Sequence, residues 1–236
     1  MKRALEAQNV PTPRWAAAEG PDDLFFDCFP AIVKPAAEHC SFGITRDSVV
    51  VSLEAARQQV AAISRQYAGG AIIEEFLDSD EYGISLWGNG NDLEVFGISV
   101  IRYDAFPDPR DRVCTFDAKW LPETDAYKKT MPTCPAPLTP AMQTQLESLA
   151  KRAHDACGGR DCSRIDVRLQ QGRPMVLDVN INCAVSENSG FVDTARIFGW
   201  SYSAVLERLA MMALKRMTPR QPVLAAPLAQ HHASRA

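Results

Sequence analysis

Residues 163–182 read SRIDVRLQQGRPMVLDVNIN, two runs that alternate polar and apolar residues on either side of Gln170-Gln171-Gly172-Arg173. Ile165, Val167 and Leu169 are answered across the turn by Met175, Leu177 and Val179, and the opposite side carries Arg164, Asp166 and Arg168, answered by Asp178 and Asn180. A period of two makes each run a strand with one buried face, and the glycine joins them as a hairpin. A three-residue loop, Gln171 to Arg173, pairs Gln170 with Pro174. It therefore sets Asp166 opposite Asp178 and Arg164 opposite Asn180. Opposed Cβ atoms lie about 4.5–5.5 Å apart, where two carboxylates repel unless a cation joins them. An all-oxygen set suits Mg²⁺, which takes one or two protein carboxylates and completes its octahedron with water and phosphate oxygens. The competing reading is a solvent-facing hairpin whose Arg164 and Arg168 neutralise both acids.

Composition sets the frame. The 236 residues are 46% hydrophobic and 23% charged, enough for a real core in one large domain or two small ones. A net charge of -4 and a pI near 5.6 give no electrostatic reason to expect nucleic acid or an anionic membrane as partner. Seven cysteines without a C-x-x-C pair read as reduced thiols, not as a disulfide or zinc framework. No apolar run approaches the ~20 residues of a membrane span, and the opening MKRALEAQNV has no signal-peptide core. The expected location is the cytoplasm.

Strands and helices alternate along the chain. Residues 2–9 read as the end of a helix, and AIVKP (31–35) as a short buried strand that Pro35 ends. Ser52 caps a helix to about Tyr67 with Leu53, Ala56, Val60 and Ile63 inward and Gly69-Gly70 as its stop. AIIEEFL, EYGISLWG and LEVFGISVI follow as strands, the last two joined at Asn89-Gly90-Asn91-Asp92. Residues 102–140, rich in Pro and charge, read as a long loop with one strand near Phe116. Helices are expected near 139–157, 191–198 and 202–216, and the tail beyond, with His231-His232, as disordered.

Four further stretches add chemistry. Lys34 ends a buried strand and precedes a polar loop with Ser41 and Gly43, a point charge and backbone N–H groups suited to phosphate oxygens. Glu74, Glu75, Phe76 and Leu77 end another strand, with Glu81 four residues on. TFDAKWLP places Lys119 in the long loop, and DVNINCAVSENSGF feeds Ser186, Asn188, Ser189 and Gly190 to a helix N-terminus able to meet an anion. Singly, each also reads as a surface lysine, an exposed strand end or a helix cap.

In order and combination, Lys34-Pro35, Ser41-Phe-Gly43, Glu74-Glu-Phe-Leu77 with Glu81, Ala118-Lys119-Trp120, Arg164-x-Asp166 and Asp178-Val-Asn180 resemble the ATP-grasp superfamily, and within it the D-alanine–D-alanine ligase group. The likeness runs from about Lys2 to Lys215. It implies an α+β ATP-grasp fold over residues 1–216, with mostly antiparallel sheets gripping ATP between a smaller lid-bearing subdomain (about 15–80) and a larger one (about 81–216). It implies that Lys34 and Lys119 contact ATP phosphates and that Glu74 accepts from the adenine amino group. Glu75, Phe76 and Leu77 would frame the base, Glu81 would hold the ribose hydroxyls, and the loop around Ser41 would close over the γ-phosphate. Asp166, Asp178 and Asn180 would bind one or two Mg²⁺ (or Mn²⁺), and Arg164 would neutralise the transferred phosphoryl group. Asn182, Ser186 and Ser189 form a polar rim for substrate.

The resemblance implies an ATP-dependent carboxylate–amine ligase acting through an acyl phosphate on small carboxylate and amine substrates, amino acids in particular. The alternative class is a nucleotide-binding or partner-dependent module with little turnover of its own. Ligases of this group carry a further N-terminal domain, so the expectations include weak turnover by these residues alone and a homodimer or partner covering the missing surface. Lys2 aligns with a later lysine of the family, not with the upstream lysine that touches ATP. Cys183-Ala184 stands where the family has Pro-Gly, and Asp178 where it has Glu.

Overall fold

The computed structural model describes residues 1–217, so all but the first residue of the expected tail lies outside the described residues. The chain runs α1 (Lys2–Ala7), β1 (Trp15–Ala18), β2 (Ala31–Pro35), β3 (Val49–Val50), α2 (Leu53–Gln66), β4 (Ala71–Glu75), β5 (Glu81–Gly88), β6 (Glu94–Ile101). It continues α3 (Phe116–Trp120), α4 (Asp125–Lys129), α5 (Pro140–Ala156), β7 (Asp161–Gln170), β8 (Arg173–Asn180), α6 (Gly190–Ile197), α7 (Tyr202–Arg216). The strands form two four-stranded sheets, β1-β4-β2-β3 and β6-β5-β7-β8, and every pairing is antiparallel. The α+β architecture is the expected one. Among the described residues no helix is long and apolar enough to cross a membrane.

Each sheet has one face sealed by helix, and this decides where the polar side chains go. In the first sheet, Ala31, Val33, Ala71 and Ile73 pack on Ala56, Val60 and Ile63 of α2. The Ser52 side chain caps that helix by accepting from the Ala55 N–H. Alternation then turns Ile32, Lys34, Ile72 and Glu74 to the other face. In the second sheet, Ile84, Leu86, Ile98, Ile165 and Val167 pack on Leu146, Leu149, Ala150 and Ala153 of α5. Its opposite face is covered at one end, where Trp87 meets Phe191 and Val192 of α6. The uncovered end carries Glu81, Gly83, Arg164 and Asp166.

Three expectations need correcting. The segment around Phe116 is helical: Thr115 and Thr124 cap α3 and α4 by accepting from the Ala118 and Tyr127 N–H groups, and a capped turn defeats the strand reading. The short strands β1 and β3 were not expected; they flank longer strands and are held by pairing to them. The hairpin turn has two residues, not three. Gln171 and Gly172 both have positive φ (49° and 79°), and Gln170 faces Arg173. By itself that turn would oppose Asp166 to Leu177, but a β-bulge next to Asp166 absorbs one residue of β8. The register beyond it becomes Asp166↔Asp178 and Arg164↔Asn180, as expected. The bulge also puts Val176, not Met175 or Leu177, in the core beside Val179.

Candidate functional site

On the first sheet, Glu74 is 1% exposed and sits between two lysines. Lys2 Nζ lies 2.8 Å from its Oε2 and Lys34 Nζ 2.6 Å from its Oε1. Lys2 also donates to Thr12 Oγ1 at 2.7 Å. Burial pushes the Glu74 carboxyl upward, but Lys34 and Lys2 outweigh it and hold the group below the ordinary value of 4.5. Burial lowers Lys2 overall despite Glu74. For Lys34 the same burial is overcome by Glu74, with Asp178 and Glu81 adding to the rise. Glu74 Oε1 pairs with Lys34 as an ion but, among the described residues, takes no well-directed hydrogen bond.

On the second sheet the expected constellation shares one face. Arg164 grips Asp166 through two bonds, Nε to Oδ1 at 2.8 Å and Nη2 to Oδ2 at 2.9 Å, and Asn180 Nδ2 donates to Asp166 Oδ2 at 3.1 Å. Asp166 holds the Arg164 guanidinium well above its usual range, against burial. Asp178 stands directly across from Asp166 and, among the described residues, accepts only from the Val179 N–H, at 2.9 Å. Gly83 is paired with Asp166 on β5, and a Cβ there would come within 3.0 Å of Ser99 Oγ and 3.9 Å of Asp166 Oδ1. The glycine keeps the surface beside the carboxylates low. Among the described residues no three His, Cys, Asp or Glu side chains converge as a metal cluster. Two carboxylates and an amide remain, a donor set that fits Mg²⁺ sharing its shell with water and phosphate and does not make a closed protein cage.

The connection between the sheets is built on Arg168, which the competing reading of the hairpin expects to neutralise Asp166 and Asp178 and which instead pairs with Glu81. Its guanidinium donates to Leu77 O and Arg112 O, both at 2.8 Å, and to Glu81 Oε2 at 3.1 Å. It lies over the rings of Phe76 (5.6 Å) and Tyr103 (4.7 Å). Burial opposes its charge, and Tyr103 and Glu81 more than restore it. The Phe76 N–H is taken by Pro30 O, and Gln170 Nε2 donates to Glu75 Oε1 at 2.6 Å. Among the described residues the Leu77 N–H and Phe76 carbonyl make no hydrogen bond, leaving a donor and an acceptor on adjacent hinge residues.

The Ser41 loop leans on the Lys119 segment. Cys40 and Ser41 have φ of 59° and 64°, Trp120 Nε1 donates to Cys40 O at 3.1 Å, and the Phe42 and Phe116 rings lie 5.1 Å apart. Ser189 caps α6 through the Val192 N–H, and its backbone N–H reaches Ser186 O. Asn182 is exposed on the preceding loop. A pocket of about 540 Å³ opens at the β3 edge between Phe29, Pro30, Val49, Phe76 and Asp108; of the expected residues only Phe76 lines it. From sequence, Lys2 and Gly83 carry no expected site role, and Arg168 is expected only to neutralise Asp166 and Asp178. The actual partners of Arg168, Glu81 and the Leu77 and Arg112 carbonyls, lie on other elements and leave no local signal. Lys2 reaches Glu74 across 72 positions, with no local signal.

The D-ala D-ala ligase C-terminus family model matches residues 26–211. An uncharacterised protein (y4sG) of Sinorhizobium fredii is 31% identical over 220 residues, covering 91% of this chain and 61% of that protein. The D-alanine–D-alanine ligase of Cupriavidus necator is 26% identical, covering 93% and 64%. The chain thus spans a little under two thirds of these relatives' length. The crystal structure of the Bacillus anthracis D-alanine–D-alanine ligase complexed with ATP superposes with a TM-score of 0.69 at 19% identity, covering 91% of this chain and 64% of that one. These matches show the fold, and the chain belongs to the D-alanine–D-alanine ligase C-terminal domain family with its ATP-grasp architecture.

Proposed function

We propose that this chain carries the ATP- and Mg²⁺-dependent half of a carboxylate–amine ligase that works through an acyl phosphate. The observation that carries the reading is the opposition of Asp166 and Asp178, with Asn180 and Arg164 alongside, on a sheet face left uncovered by helix. Glu74 and the free Leu77 N–H and Phe76 carbonyl suit the amino edge of adenine. Glu81, held by Arg168, suits the ribose hydroxyls. Lys34 and Lys119 supply positive charge for phosphates. Asp166, Asp178 and Asn180 would hold Mg²⁺, whose charge would offset that of the phosphate groups. A substrate carboxylate attacks the γ-phosphorus, ADP departs, and an amine displaces phosphate from the acyl carbon. Through these steps Arg164 stabilises the growing negative charge, and the polypeptide supplies positioning and electrostatics, not a covalent nucleophile. Exposed Asn182 and Ser186 would line the rim where the amine partner sits, whereas Ser189 is buried with its hydroxyl capping α6 and does not join that rim. The subdomain division near residue 80 follows the two sheets, and a homodimer or partner subunit over the open face remains part of this reading.

Calorimetry with ATP or ADP tests it. Binding should require Mg²⁺, and Lys34→Ala should weaken it by roughly 1.5–3 kcal/mol, the usual worth of a hydrogen bond to a charged group. Amino-acid-dependent ADP release by the chain supports the full ligase. Mg²⁺-dependent binding without such release supports a nucleotide-binding module that needs a partner. Absence of nucleotide binding overturns both.

A further inference from the structure

Cys162 and Cys183 lie far apart in sequence but meet beside the loop that follows β8. Cys183 Sγ donates to Cys162 Sγ across 3.8 Å. Cys162 is near the start of β7, paired with Trp87 of β5, and is partly exposed; Cys183 is 7% exposed within the cluster of Trp87, Phe191 and Val192. The other cysteines make no thiol–thiol contact among the described residues. We propose that Cys162 and Cys183 form a reversible intramolecular disulfide that pins residues 181–189, with Asn182, Ser186 and Ser189, to β7.

The two thiols are unequal, which gives the reaction an order. Cys183, as donor, has its pKa pushed up by the contact with Cys162 and by burial. Cys162, as acceptor, has its pKa lowered by the same contact despite partial burial. Cys162, the more accessible and more readily ionised, is the attacking group, and Cys183 is the resolving one. With a small-molecule disulfide such as oxidised glutathione as oxidant, the Cys162 thiolate bonds to one glutathione sulfur and expels the other as thiolate. Cys183, after losing its proton to solvent, then attacks Cys162 Sγ and expels the second. Two cysteine thiols are oxidised, one glutathione disulfide is reduced to two thiols, and a general thiol reductant reverses the sequence. The loop is the mechanical target because its ends differ in support. Asn180 is held in the sheet, whereas 181–189 form no strand or helix before α6.

The test uses the purified full chain and no nucleotide. After exposure to oxidised glutathione and alkylation of remaining thiols, peptide mapping should show a cross-link joining the Cys162 and Cys183 peptides, abolished by dithiothreitol. Cys183→Ser should accumulate glutathione on Cys162, and Cys162→Ser should leave Cys183 reduced. Amide hydrogen exchange across 181–189 should slow roughly tenfold or more in the oxidised wild type, as expected when a local opening is tethered. Glutathione on the exposed Cys40 with no Cys162–Cys183 cross-link overturns the proposal. A cross-link that leaves exchange in 181–189 unchanged overturns the pinning. Neither readout depends on ligase chemistry, so either reading can fail without the other.

Discussion

The two faces that confront each other across the ATP-grasp fold handle charge in opposite ways. On the first sheet, Lys2 and Glu74 are 3% and 1% exposed and bonded to one another as a dry pair, and Lys34, 23% exposed, closes the triad at its solvent edge. On the second, Arg164 and Asp166 keep 25% and 14% of their side-chain surface, and Asp178 is likewise half-buried. A dry charge cluster must balance internally, because removing one member strands the others away from water. A wet one tolerates substitution and keeps lone pairs free for a ligand. The first face is therefore built for stability as well as binding, and the second mainly for binding.

The largest expected effect follows directly. Glu74→Gln leaves Lys2 and Lys34 without a buried counter-charge and should cost about 3–5 kcal/mol in urea unfolding. A loss under about 1 kcal/mol would erase the distinction between the two faces. The double variant Glu74→Gln with Lys2→Met should recover part of the loss, since it removes the lysine that burial already drives toward neutrality.

The pH dependence sharpens the same point. Glu74 has a folded-state pKa below its ordinary value of 4.5, so the unfolded chain takes up the proton first as pH falls. Its stability contribution is complete above that value and drains away as pH descends to the folded one. At alkaline pH the lysines oppose each other. Lys34, raised, contributes stability that is present below 10.5 and lost as pH rises through its folded pKa. Lys2, lowered, penalises the folded state while charged, and stability returns as pH rises from its folded value to 10.5. The unfolding free energy of wild type minus that of Glu74→Gln should fall steeply below pH 4.5. A difference that stays flat through the acid range would show that Glu74 is not held ionised.

Asp178→Asn probes the wet face. Its carboxylate accepts one backbone hydrogen bond and pairs with no cation among the described residues, so stability should move by less than about 1 kcal/mol. Mg²⁺-dependent nucleotide affinity should fall roughly tenfold or more, because ligand charge count governs affinity at such sites. A destabilisation comparable to that of Glu74→Gln would place Asp178 with the dry cluster.

What the sequence revealed, and what it hid, follows the same division. The wet face was legible because its residues are neighbours: Arg164, Asp166, Asp178 and Asn180 lie within one hairpin, where period-two spacing places them on a common side. Even so, the correct register was reached through an incorrect loop. The three-residue turn expected from Gln171-Gly172-Arg173 and the two-residue turn plus bulge shift the strand by the same single residue. Parity is visible in the polar pattern, but the position that absorbs the extra residue depends on whether Val176 or Leu177 fills the core. The dry face was half legible. Lys34 and Glu74 sit at strand ends, while Lys2 is brought to them by the docking of α1, and no local pattern encodes that. The long segment 102–140 hid α3 and α4 because helices of five residues carry too little periodicity to outweigh Pro and charge, and only the Thr115 and Thr124 caps marked them.

The smallest effect concerns the turn that aims the wet face. Gln171 has φ of 49° and Gly172 of 79°, the paired left-handed conformation of a two-residue hairpin turn, in which Asn is favoured at the first position. Glutamine lacks the short amide that stabilises this conformation locally and so carries a modest backbone cost. Both positions are exposed, and a Cβ at Gly172 would meet nothing within 4 Å, so the turn's energetics are those of the backbone and not of packing. Gln171→Asn should therefore stabilise the chain by a few tenths of a kcal/mol, seen as a small rise in the urea midpoint with an unchanged slope. Gly172→Ala, which forces a Cβ into the same region, should destabilise by about 1 kcal/mol. Neither change should alter Mg²⁺-dependent nucleotide binding, because the bulge beside Asp166, and not the identity of the turn residues, decides which face Asp178 and Asn180 occupy. A loss of binding in Gln171→Asn with stability intact would mean that the register slips when the turn tightens, and that turn and bulge set the metal-binding face together.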